Sequence, residues 1–184
     1  MVLPSELEKS SVSGRKALKK FFVASSISGA HLLEEEAIRS MAGKFCVPLE
    51  SRPCFWSGRR CHPEDLQTCE LTGLSVHSEY ITLQPPPRLE ILFNILNGTK
   101  SKSDKTDLWA DIASNVSKLL KGGSCKVENA ELSSNGENLA VALEIKTWIG
   151  LKTRHAGLIY SIQDNTNVGR IVMGKRSDKG WVKS

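Results

Sequence analysis

The sequence predicts an α+β protein with an N-terminal array of short β-hairpin repeats, followed by a pair of helices and a C-terminal antiparallel β-meander. Three observations carry this expectation. Gly14, Gly29, Gly43, Gly58 and Gly73 recur at spacings of 15, 14, 15 and 15, a fixed period that means stacked supersecondary units. Apolar residues then follow helical spacing between positions 88 and 120, and from Cys125 onward their period falls to two.

The repeat unit is defined by more than its glycine. A small residue precedes each one (Ser13, Ser28, Ala42, Ser57, Thr72) and an apolar residue stands two before it (Val12, Ile27, Met41, Trp56, Leu71). Ala17, Leu32, Cys46, Cys61 and Val76 stand three after it. Glycine accepts backbone angles that other residues resist, so each unit reads as two short extended arms around a tight turn. Segments such as Cys61–Leu66 and Leu32–Ala37 bring proline or glutamate to the first turn of a short helix. One unit buries too little surface to stand alone, so each must lean on its neighbours. Val2–Leu7 superposes on Cys61–Leu66, and the expectation is that the chain opens within a longer array.

Pro85-Pro86-Pro87 ends the array, a stiff spacer that separates a repeat region, 1–84, from an α+β region, 88–184. Leu89, Leu92, Phe93 and Leu96 predict a first helix over 88–97, closed by Gly98. Leu108, Trp109, Ile112, Ala113, Val116, Leu119 and Leu120 form one stripe of a second helix ending at Gly122-Gly123. Alternation in Leu139, Val141, Leu143 and Ile145, and again from His155 to Gln163, predicts a meander of about four strands. One amphipathic helix covering one face gives two layers, with basic residues on the other face.

Composition bounds the function. The 184 residues carry a net charge of +5, unevenly placed: 11 basic against 11 acidic residues in 1–98, 6 against 7 in 99–145, and 8 against 2 in 146–184. Lys152, Arg154, Arg170, Lys175, Arg176 and Lys179 are therefore the candidate nucleic-acid contacts, neutralising phosphates, with Tyr160 or Trp181 as stacking groups. A solvated sheet face explains the same charges. No apolar run approaches the ~20 residues of a membrane helix, and the N-terminus lacks a secretory pattern, so a cytoplasmic protein without membrane association is expected. No GxxxxGK[ST], GxSxG, HExxH or GxGxxG pattern occurs, and the Glu34-Glu35-Glu36 run reads as a solvated helix start, so no enzyme is expected.

Four of the five cysteines occupy two phases of the repeat: Cys54 and Cys69 four residues before the glycine, Cys46 and Cys61 three after it. Equivalent positions of stacked units lie close together, so these four are the candidate ligands of one tetrahedral zinc, with His62 and His77 in reserve. Sibling units place serine, alanine, leucine or valine at the same phases, so the cysteines equally read as small buried hydrophobes. The turns Cys54-Phe55-Trp56-Ser57-Gly58 and Cys69-Glu70-Leu71-Thr72-Gly73, with the following Pro-x-[Glu/Asp]-Leu, resemble degenerate zinc-knuckle arrays found as C-terminal extensions of bacterial SWI/SNF-type helicase proteins. The likeness covers residues 1 to about 82. It implies a non-catalytic accessory module of a larger protein, with the parent protein's N-terminal region and nucleic acid as partners. The alternative is a protein-interaction or scaffold module whose aromatic repeat faces (Phe21, Phe22, Phe55, Trp56) dock on protein.

Overall fold

The computed structural model describes residues 6–82, 87–98, 107–119, 124–146, 153–178 and 180–184. Its first half is a run of two-stranded antiparallel hairpins. They pair β1 (Leu7–Lys9) with β2 (Lys16–Leu18), β3 (Phe22–Ala24) with β4 (His31–Leu33), and β5 (Ile38–Arg39) with β6 (Phe45–Cys46). Next come β7 (Arg52–Pro53) with β8 (Arg60–Cys61), and β9 (Leu66–Thr68) with β10 (Ser75–His77). Strands this short cannot bury a core by themselves.

The turn glycines hold the hairpins closed, all five at φ between 70° and 80°, where a side chain is strained. In four turns the glycine N–H donates to the carbonyl four residues back, as Gly14 does to Ser10; Gly43 donates to Ser40, three back. The third turn is one residue shorter, which is the physical origin of the single spacing of 14. The expected helical segments form as single 3-10 turns at Lys19–Phe21, Glu34–Glu36, Pro63–Asp65 and Ser78–Tyr80.

The second half contains α1 (Glu90–Leu96), α2 (Asp107–Leu119) and a five-stranded antiparallel sheet in sequence order. Its strands are β11 (Ser124–Leu132), β12 (Asn138–Lys146), β13 (Thr153–Ser161), β14 (Thr166–Ser177) and β15 (Gly180–Lys183). The meander has one strand more than expected, because β15 pairs with β14 from Ser177 opposite Gly180 to Gly174 opposite Lys183.

The expected open sheet face is not open. Ile112 and Val116 of α2 cover one side, on Val127, Leu139, Val141, Leu143, Leu158 and Tyr160. Leu92, Ile95 and Leu96 of α1, with Trp56, Leu71 and Val76 of the last two hairpins, cover the other, on Ala140, Ala142, Ile159, Val172 and Trp181. The reason is visible in β12: Leu139-Ala140-Val141-Ala142-Leu143 is a continuous apolar run, fully buried throughout, as in strands packed on both faces. The small members Ala140, Ala142 and Gly157 admit α1 closely; a Cβ at Gly157 would stand 2.7 Å from Leu96. One core thus runs across the Pro85-Pro86-Pro87 spacer and joins the fourth and fifth hairpins to the α+β half.

Candidate functional site

Successive hairpins are tied by a repeating set of contacts about 20 residues apart. The N–H after the first turn residue donates to a strand of the next unit: Ser11 to His31 at 2.9 Å, Ser26 to Phe45 at 2.8 Å and Phe55 to Ser75 at 3.0 Å. The basic residue after a turn glycine pairs with a glutamate of the following unit: Arg15 with Glu35, Lys44 with Glu64, Arg59 with Glu79. Glu35 and Glu36 therefore tie units together while standing, as their run predicts, in the unburied first turn of a short 3-10 helix.

The first turn residue makes the third tie. Ser10 donates its hydroxyl to Glu36, and Ser25 to Glu50 at 2.5 Å. The same oxygens accept turn N–H groups, from Val12 at 3.2 Å and from Ile27 at 3.1 Å. These donors hold the carboxyls below the usual range: Ser10 then Ser13 at Glu36, Ser25 then Ser28 at Glu50, Lys44 then Ser40 at Glu64. In the first three units a carboxylate thus sits against the serine that opens the turn.

In the last two units sulfur takes that place. Cys54 Sγ accepts the N–H of Ser57 at 3.5 Å and of His77 at 3.2 Å, and Cys69 Sγ that of Leu89 at 3.3 Å. The Cys61 thiol donates to the Arg59 carbonyl at 3.3 Å. All four candidate ligands, Cys46, Cys54, Cys61 and Cys69, are buried. Burial pushes the Cys46 and Cys61 thiols up, so they stay protonated at neutral pH. Among the described residues no three His, Cys, Asp or Glu side chains are grouped as a metal would hold them. The reserve ligands are engaged as caps: Nδ1 of His62 and of His77 accepts the N–H of Glu64 and of Glu79, each at 3.3 Å. That geometry leaves the ring proton on Nε2, which at His62 lies 2.9 Å from Ser26 Oγ.

The apolar position two before each glycine divides the array. Trp56 and Leu71 are each 5% exposed and belong to the core under the sheet. Their equivalents Val12, Ile27 and Met41 are 45%, 52% and 71% exposed. Around the buried pair the docking is specific. Asn138 Nδ2 donates to the Phe55 carbonyl at 3.1 Å, and the Arg170 N–H to the Thr72 carbonyl at 2.9 Å. Gly169 permits the second contact, since a Cβ there would stand 2.5 Å from the Thr72 carbonyl oxygen.

The structure does not gather the candidate nucleic-acid residues on one surface. Arg176 donates from Nε to the Leu96 carbonyl at 2.8 Å and pairs with Glu128 at 3.1 Å, on the α1 side, where His155 also meets Glu128. Arg170 lies over the fifth turn, its Nε 3.6 Å from where a Gly73 Cβ would be. Arg154 and Lys175 are exposed, and strand alternation from Ala156 and Met173 puts both on the α2 side. Lys152 and Lys179 fall outside the described residues. Tyr160 and Trp181 are 1% and 5% exposed and fill the two cores, so neither offers a face to a base.

Sequence reasoning missed the ties between units, although a basic residue after the glycine and a glutamate 20 positions later is a readable signal. Among the described residues no helix is long and apolar enough to cross a membrane. No family model, curated protein or solved structure matches this chain.

Proposed function

We propose that this chain is a non-catalytic interaction module whose first three hairpins dock on a protein partner while the last two hold its own α+β body. The observation that carries this reading is the row Val12, Ile27 and Met41, exposed at the very phase where Trp56 and Leu71 are buried. Apolar side chains repeated at one phase of an array form a surface, and such surfaces mark contact sites. The interface already present supplies the partner's chemistry: an apolar sheet face with N–H donors at its rim, as Asn138 and Arg170 provide. Residues 6–50 hold 7 basic and 6 acidic residues, so apolar burial rather than charge drives the contact. The resemblance to knuckle arrays appended to helicase proteins supports an accessory role beside a larger parent protein.

A second reading, contact with nucleic acid, is favoured by Arg154 and Lys175, which are exposed and form no ion pair among the described residues. Photo-crosslinking from Ile27 and from Lys175 separates the two. A protein adduct at Ile27 is expected, and the complex reconstituted with that partner should weaken more than about tenfold when Val12, Ile27 and Met41 are changed to Asp. Unchanged affinity of the triple variant overturns the docking row. A nucleic-acid adduct at Lys175, with binding that falls steeply with salt, establishes the second reading instead.

A further inference from the structure

We infer that the cleft between the fifth hairpin, Arg88 and β15 is a binding site for a small carboxylate with an apolar body. Glu70, Leu71, Arg88, Trp181, Val182 and Lys183 line it, around about 280 Å³. Two of these residues carry buried N–H donors without an acceptor among the described residues, Nε of Arg88 and Nε1 of Trp181.

Neither side chain is free to look elsewhere. The Trp181 backbone N–H is held by Asn97 Oδ1 at 2.6 Å, and its ring lies so close over Gly174 that a Cβ there would stand 2.3 Å away. The Arg88 guanidinium sits over the Phe93 ring, 5.1 Å from its centre. A buried donor left unpaired costs about 1–3 kcal/mol, so such groups are rare in native structures and each calls for a reason, a bound partner among them. Two such donors in the lining of one cleft point to such a partner.

The lining specifies its chemistry. Arg88 and Lys183 are opposed by Glu70 alone, so the cleft favours a single negative charge. Two N–H donors suit the two oxygens of a carboxylate, and a guanidinium binds that group strongly. Leu71 and Val182 give the cleft an apolar wall, which a fully hydrated phosphate does not use. Lys183 is exposed and Arg88 half-buried, so the cleft opens to solvent beside the two donors. None of the row Val12, Ile27 and Met41 takes part, so this site stands independently of the docking surface.

The test is titration of the full chain with benzoate, read at the Trp181 indole N–H resonance, with inorganic phosphate as the comparison. Benzoate should give a saturable shift, and phosphate none. Arg88→Met should weaken benzoate about tenfold or more while leaving the backbone amide spectrum in place, and Lys183→Gln should weaken it less. If Arg88→Met perturbs the fold, Lys183→Gln alone still reads the charge requirement. No saturable shift, equal response to phosphate, affinity unchanged in both variants, or a benzoate-soaked crystal holding only water in the cleft each overturns the site.

Discussion

Hairpins one to three and hairpins four and five share one turn and one register, yet they are stabilised by opposite means. The first three lie off the sheet: their buried turn residues Ser10, Ser25 and Ser40 tie to the more exposed carboxylates of Glu36, Glu50 and Glu64. The last two lie against the sheet, and there Cys54 and Cys69 accept the N–H groups of His77 and Leu89 while Trp56 and Leu71 fill the core. A hydroxyl–carboxylate pair needs solvent around its remaining lone pairs, whereas a thiol tolerates a dry site. The same local fold therefore carries polar chemistry where it is uncovered and apolar chemistry where it is covered.

Truncating the covered row tests this contrast most strongly. Leu71→Ala should cost about 2–5 kcal/mol in denaturant unfolding, against within about 0.5 kcal/mol for Ile27→Ala. Equal losses at both positions would abolish the distinction between the two groups of hairpins. Gly169→Ala comes next, at about 1–3 kcal/mol, because it combines a φ of 68° with the close Thr72 carbonyl; a neutral result would show that hairpin five is not docked there.

Acid should then separate the two groups in order. Glu36, Glu50 and Glu64 titrate below their unfolded values, so the stability they add is complete above the ordinary carboxylate range. It is lost as pH falls through the lowered values. Hydrogen exchange at stepwise lower pH should show residues 6–50 losing protection before residues 52–82, and Ser25→Ala, about 1 kcal/mol destabilising through its lost turn bonds, should raise the pH of that loss. Simultaneous loss would place the stability elsewhere. The smallest expected effect is that of a zinc chelator, which should leave melting unchanged because Cys54, Cys61 and Cys69 already have hydrogen-bond partners within the chain; a lowered melting temperature with zinc released would restore the metal reading.

Much of this architecture was readable beforehand. Glycine at a period of about 15 located every turn, and the stripe from Leu108 to Val116 located α2. The third layer was missed, because Leu139, Val141 and Leu143 were read as an alternating set although Ala140 and Ala142 complete a continuous run. The nucleic-acid candidates fared differently: Arg154 and Lys175 reach one side, while Arg170 and Arg176 contact the chain itself. Counting charge along a strand does not reveal which cation already has a carbonyl or carboxylate waiting on another element.

By itself the sequence determined the hairpins, since a glycine forced to positive φ and a short arm of two or three residues on each side are local requirements. It also determined the helices and the strand order, through periodicities that depend only on near neighbours. Only the tertiary structure decided which hairpins are covered, which cysteines accept backbone N–H groups and which donors stay unpaired among the described residues. Those outcomes depend on what lies opposite a residue across a packed interface, and equivalent positions such as Ile27 and Trp56 carry no mark of it in their spacing.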